Sequence, residues 1–201
     1  MTAPVLALHR ELARKALHLL SAGAPVAYAA QAPRTILTWI LAAAAAVAIT
    51  VEVTRRRVPP VQRALDRLTG SLFRPHEHAG VTGATWLILA LLLAIAVLPR
   101  PEAIATMWAA AVGDPAATLV GRTVGRIRLH PDGKSLEGSL ACLATTALGA
   151  WLVAGLPAAV ALLAGLAAAL AEWPRGPLDD NIRITVAAGI TLSALRMFSV
   201  S

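Results

Sequence analysis

Charge is scarce in this chain. Of 201 residues, 14% are charged and 57% apolar, with a mean hydropathy of +0.67. A soluble domain carries about a quarter charged residues, so the composition excludes an ordinary soluble domain and fits a single integral membrane domain over 1–201. Cysteine is nearly absent. Cys142 stands alone in an apolar run, which rules out a disulfide framework and leaves inert packing as its expected role. A cleavable signal pattern is also missing, because the apolar run after Arg10, Arg14 and Lys15 leads straight into further apolar segments. Lysine is confined to Lys15 and Lys134, against sixteen arginines. Acids are few enough that each can be weighed. In a soluble protein the net charge of +7 would suggest a nucleic-acid partner. Here topology accounts for it, and no nucleic acid is expected.

What is abundant is apolar sequence in lengths that suit a bilayer. A span takes about 20 apolar residues. Seven stretches qualify: 16–31, 35–53, 82–98, 102–120, 136–155, 157–172 and 182–198. The fourth is interrupted by Gly113-Asp114-Pro115, and Arg183 weakens the seventh. The expected fold is all-α and polytopic, with about seven transmembrane helices. Ala42–Ala46 and Ala167–Ala169 are small-residue runs suited to close helix packing. With the N-terminus inside, fifteen of the eighteen basic residues fall on inner segments, leaving Arg34, Arg100 and Arg196 outside. The excess of Lys and Arg in inner loops fixes that orientation. Heavy Ala and Arg usage suggests a GC-rich bacterial source, hence a cell (inner) membrane with the polar motifs on its cytoplasmic face. The inner loop 54–81 carries Val58, Val61, Leu65, Leu68 and Leu72 at helical spacing, opened by Pro59-Pro60 and closed by Gly70. It reads as one interfacial amphipathic helix, more a headgroup anchor than a substrate element.

The stretch 113–139 holds most of the chain's unexplained polarity. Asp114 lies between Gly113 and Pro115 inside an apolar run, where the helix is expected to break or begin. It reads equally as a cap of that break or as a ligand of phosphate-bound Mg²⁺, which takes one or two carboxylates plus substrate phosphates. Gly121-Arg122-Thr123-Val124-Gly125-Arg126 combines close-approach glycines with phosphate-binding arginines. By itself it reads as a packing pair with inside arginines. Gly133-Lys134-Ser135 resembles the tail of a phosphate loop but lacks the glycine five residues earlier and the preceding strand, so a P-loop is rejected. Lys134 remains a phosphate contact, Ser135 a cap of the next span with Gly138 in its first turn, and Glu137 an acid at its start.

Three further clusters sit on the same side. Glu11, Arg14, Lys15 and His18 share one helix face. The bland reading is an interfacial Glu11–Arg14 or Glu11–Lys15 pair, with His18 satisfied in the core. Arg74, Glu77, Thr82 and Gly83 precede the third span. The intervening His76-Glu77-His78 is too sparse for a zinc site. Glu172 and Asp179-Asp180-Asn181 flank the last loop, where capping is the simple explanation but three acids exceed what a cap needs. Glu102, Asp66 and Asp132 read as structural, Glu102 as a solvated residue at an outer span end.

In combination these pieces resemble the polyprenol kinase family, which includes dolichol, phytol and farnesol kinases and the CTP-dependent diacylglycerol kinase. The resemblance rests on Glu11-x-x-Arg14-Lys15-x-x-His18; Arg74-x-x-Glu77 followed by Thr82-Gly83; Gly113-Asp114-x-x-Ala117-x-x-x-Gly121-Arg122-x-x-Gly125; Lys134-Ser135-x-Glu137-Gly138-Ser139; and Glu172 with Asp180-Asn181. These occur in the family's order over positions 11 to 181. Arg128 stands where relatives often carry lysine, and Ile184-Thr185 where a proline often follows Asp-Asn.

The resemblance implies transfer of a phosphoryl group from a nucleotide, typically CTP, to a membrane lipid hydroxyl with Mg²⁺. It makes Asp114, Glu137 and Asp180 metal ligands. Gly113, Gly121, Arg122, Gly125, Arg126, Lys134, Ser135, Gly138 and Asn181 would form the nucleotide site. Glu11, Arg14, Lys15, His18, Arg74, Glu77 and Thr82 would face the lipid substrate, and Asp114, Glu77, His18 and Lys134 would act in transfer. The nearest rival is a cytidylyltransferase forming a CDP-lipid, whose longer C-terminal signature is missing here. A transporter is disfavoured because the polar groups gather on one face. Nothing in the sequence specifies the acceptor or an oligomeric state.

Overall fold

A computed structural model of the chain describes residues 3–69, 77, 80–129, 134–173 and 178–200. The fold is all-α. Among the described residues there is no strand, only an isolated antiparallel bridge between Arg128 and Ser135.

All seven apolar stretches are helical. The first forms α1 (Ala3–Leu19), a 3₁₀ turn at Leu20–Ala22 and α2 (Gly23–Ala29) in succession. Next come α3 (Arg34–Arg57), α4 (Pro59–Thr69) and α5 (Gly83–Val97). The fourth stretch is α6 (Arg100–Trp108), a π-helical turn at Ala109–Gly113 and α7 (Asp114–Thr123). Then follow α8 (Leu136–Leu152), α9 (Ala158–Ala171) and α10 (Asp180–Val200). Two rods, Arg34–Arg57 and Arg100–Thr123, are long and apolar enough to cross a membrane, and α5, α8 and α9 are shorter apolar helices.

The central rod is α6–π–α7. Helix α9 packs on both α8 and α10, all three contact the rod, α5 packs against α3, α6 and α10, and α1 lies along α7. Alanine makes up more than half of the buried apolar residues, whereas large side chains such as Trp39, Val47, Leu152, Ile190 and Phe198 point outward. Ala168 and Ala169 are buried as expected. Of the Ala42–Ala46 run only Ala45 is, because α3 packs on α5 through a single stripe of Leu37, Leu41 and Ala45.

Two sequence expectations change. Helix α7 does begin at Asp114, but the helical backbone is not broken at residues 113–115. Asp114 is helical, with φ −62° and ψ −46°, and its N–H bonds to the Ala109 carbonyl, five residues back. A π register carries the helical backbone up to the proline. Glu102 is buried near Arg196 (3.9 Å) rather than solvated. Helix α4 starts at Pro59 as expected, with Val61 and Leu65 half-buried and Leu68 83% exposed. Leu72 and Gly70 lie outside the described residues, as do His76, His78 and Asp132.

Candidate functional site

A cavity of about 900 Å³ opens at the end of the bundle where α1, α5, α7, α8 and α10 present their polar residues. Glu11, Arg14, Lys15, His18, Glu77, Thr82, Asp114, Gly121, Arg122, Lys134, Ser135, Gly138, Asp180 and Asn181 all line it. The chain thus brings together residues from its first twenty positions and its last thirty. One flank is apolar, built from Leu17, Ala84, Leu87 and Ile88. Leu17 is also 56% exposed on the outer surface of α1, so that flank reaches the bundle exterior.

The floor is built on the π turn. In the π register the donor for the Ala110 carbonyl would be residue 115, a proline without an N–H. His18 Nε2 lies 3.0 Å from that carbonyl. A carbonyl only accepts, so Nε2 carries the proton, and Nδ1 is left facing the Asp114 carboxylate at 3.8 Å. Lys15 Nζ pairs directly with Asp114 Oδ2, and both residues are buried. The polar stripe of α1 is therefore spent inside the molecule. Its Glu11–Arg14 pair, at 2.7 Å, exists as the bland reading expected.

Glu77 is held over the cavity by a second polar cluster. Its Oε1 accepts the Gly83 N–H at 2.9 Å and lies 3.5 Å from Arg14. Arg55, only 2% exposed, donates to Glu52 and to the carbonyls of Glu77 (2.8 Å) and Gly80 (2.6 Å). Glu52 in turn accepts the Thr82 N–H and the Thr85 hydroxyl. Thr82 caps α5 through a bond from the Thr85 N–H.

The opposite wall is acidic around one ammonium. Lys134 Nζ is 2.9 Å from Asp180 and 3.7 Å from Glu172. Burial works against its charge, but Glu172 and Asp180 outweigh it and hold the ammonium above the ordinary lysine value. Burial pushes the Asp179 carboxyl above its usual range even though the Asn181 N–H (3.0 Å) and Nδ2 (2.6 Å) donate to it. Arg183 pairs with Asp180 along α10.

Some expected residues stand elsewhere. Glu137 does not line the cavity. Its carboxylate accepts the N–H groups of Arg126 and Ile127, closing the turn that leads into α8. The trio Asp114, Glu137 and Asp180 is therefore not assembled, and no cluster of three or more His, Cys, Asp or Glu suited to a metal exists among the described residues. Arg126 is exposed away from the cavity, and Arg74 lies outside the described residues.

The glycines are contact points between helices. A Cβ on Gly113 would sit 2.5 Å from Thr146 Oγ1, and one on Gly125 would sit 2.3 Å from the Gly121 carbonyl. On Gly138 it would meet the Ala117 carbonyl at 2.7 Å. Gly121 and Gly138 still border the cavity, but what they require is the close approach of α7 to α8. Ser135 caps α8 by accepting the Gly138 N–H at 3.1 Å.

Glu172 and Asp179, two of the three acids in excess of a cap, line the cavity, as does Arg128, which the sequence offered only as a departure from the resemblance. The Glu52–Arg55 cluster behind Glu77 was missed, because no local pattern ties it to that residue. No family model, no curated protein and no solved structure matches this chain.

Proposed function

We propose that the chain is a membrane lipid-alcohol kinase that transfers the γ-phosphate of a nucleotide triphosphate, CTP in the first instance, to the hydroxyl of an isoprenoid alcohol or a diacylglycerol. The observation that carries this reading is one cavity, with a charged floor and an apolar flank, gathered from α1, the approach to α5, α7, the start of α8 and the start of α10. The outward-facing large apolar side chains and alanine-rich interior support a seven-span fold, since helices in lipid associate through small residues. Arg14, Lys15, Arg122, Arg128 and Lys134 line the cavity, and the excess of basic residues in the segments read as inner supports an active site on the cytoplasmic face.

Phosphoryl transfer asks mainly for positioning and charge neutralisation. The acceptor oxygen forms its bond to the γ-phosphorus as the bond to the β,γ-bridging oxygen breaks, CDP leaves, and the hydroxyl proton passes to a carboxylate. Glu77, beside the apolar flank, is placed to orient that hydroxyl. Arg122, Arg128 and Lys134 face the triphosphate. His18 and Lys15 fix Asp114. Mg²⁺ would screen phosphate charge, and one or two carboxylates suffice to hold it. Asp114 and Asp180 remain in that role and Glu137 drops out of it. Lateral access past Leu17 suits an acceptor whose chain stays in the bilayer.

The test uses the purified chain in nanodiscs with a panel of lipid alcohols and all four triphosphates, labelled at the γ- or the α-phosphate. Label from the γ-position is expected on the lipid, and Asp114→Asn is expected to abolish transfer while remaining monodisperse. Label from the α-position would instead make the protein a cytidylyltransferase. Wild-type activity in Asp114→Asn would remove that residue from the mechanism.

A further inference from the structure

The acidic wall contains two oxygen acceptors that the protein leaves unsatisfied. Glu172 is 2% exposed and Asn181 5% exposed, and both line the cavity. Among the described residues, neither Glu172 Oε1 nor Asn181 Oδ1 has a hydrogen-bond partner. Buried acceptors are normally paired.

The orientation of Asn181 is not arbitrary. Its Nδ2 donates to Asp179 Oδ1 at 2.6 Å, and a carboxylate can only accept, so Oδ1 is turned away from Asp179. Lys134 takes Asp180 at 2.9 Å and leaves Glu172 Oε1 at 3.7 Å, beyond hydrogen-bond reach.

From this we infer that Glu172 and Asn181 hold the divalent cation that accompanies the triphosphate, taking the place that Glu137 does not fill. The inference rests on the metal–nucleotide reading above. A carboxylate oxygen and an amide oxygen are the donors a hard divalent cation prefers. Neither can serve a phosphate, which is itself an acceptor. Arg128, Lys134 and Ser135, which also line the cavity, lie on the same side to meet the phosphates.

The test is binding rather than turnover. Mn²⁺ replaces Mg²⁺ as a paramagnetic probe. Its free and bound populations are measured by electron paramagnetic resonance on the full-length protein in detergent, with CTP present. E172Q and N181A are each expected to weaken Mn²⁺ binding, E172Q by about tenfold or more, and E137Q to be unchanged. N181A removes the amide oxygen without setting a second carboxylate against Asp179, and it keeps the test open should E172Q not fold. Mn²⁺ affinity within twofold of wild type in E172Q or in N181A would overturn the assignment while leaving the kinase reading intact. Failure of the wild type to bind Mn²⁺ with any triphosphate would overturn both.

Discussion

Arg55 shows how far a single residue can depart from its sequence reading. Counted by sign, it is one of three consecutive arginines that orient the chain. In the fold its guanidinium is buried, paired with Glu52, and bonded to two carbonyls of the segment that carries Glu77. A charge count cannot separate it from Arg56, which is 38% exposed in its side chain, because the difference is made by a loop more than twenty residues away. Breaking a buried pair by removing one partner costs about 3–5 kcal/mol. Arg55→Ala is therefore expected to lower the melting temperature in detergent clearly, and Arg56→Ala to leave it within a degree or two. Arg55→Lys keeps the charge but loses the planar fork, so it should fall nearer to Arg55→Ala than to wild type. Equal melting temperatures for the two alanine variants would show that the clamp contributes nothing. His18 was legible as one of a polar stripe. Its partner was not, because the Ala110 carbonyl becomes available only once the π register is known.

The helices were the legible part at the level of elements. Each of the seven apolar runs is helical, and the caps at Thr82 and Ser135 are where polar residues precede apolar ones. The interruption at 113–115 misled for a physical reason. Gly-Asp-Pro ordinarily ends a helix, but here the register widens by one residue and a ring nitrogen from α1 meets the carbonyl that proline leaves unserved. The glycines were read more plainly. By themselves Gly121 and Gly125 read as a packing pair, and Gly121 and Gly138 report the fit of α7 against α8. Gly138→Ala should thus destabilise by about 1–3 kcal/mol through overpacking, because its methyl would lie 2.7 Å from the Ala117 carbonyl. Gly23→Ala meets nothing within 4 Å at a helical position and should be neutral or stabilising by up to about 1 kcal/mol. Chemical denaturation of the two variants side by side checks this, and a harmless Gly138→Ala would mean the two helices can part without loss.

For the whole molecule, alanine supplies most of the buried apolar residues while many leucines, valines and tryptophans face outward, a larger exposed apolar surface than a soluble monomer usually carries. Composition alone foretold this, because charge was too scarce to cover a surface. Sidedness can be checked cleanly, since the one native thiol, Cys142, is buried. Cysteine placed at Ala30, between the first two apolar rods, or at Leu68, on α4, will be accessible. In intact cells a membrane-impermeant maleimide is expected to label the first and spare the second, with the reverse in inverted vesicles. Labelling of both from one side would refute the seven-span arrangement. The convergence of α1 with α10 was the least legible feature, because no local pattern encodes contacts between opposite ends of a chain.

The pair between Lys15 and Asp114 joins residues 99 positions apart. During synthesis the ammonium leaves the ribosome long before its counter-charge exists. On the seven-span reading, the first helix must wait at the bilayer until most of the chain has been made. Its final seating is then a late step of biogenesis, and nascent chains that stop short of residue 114 would carry an unanswered charge for quality control to find.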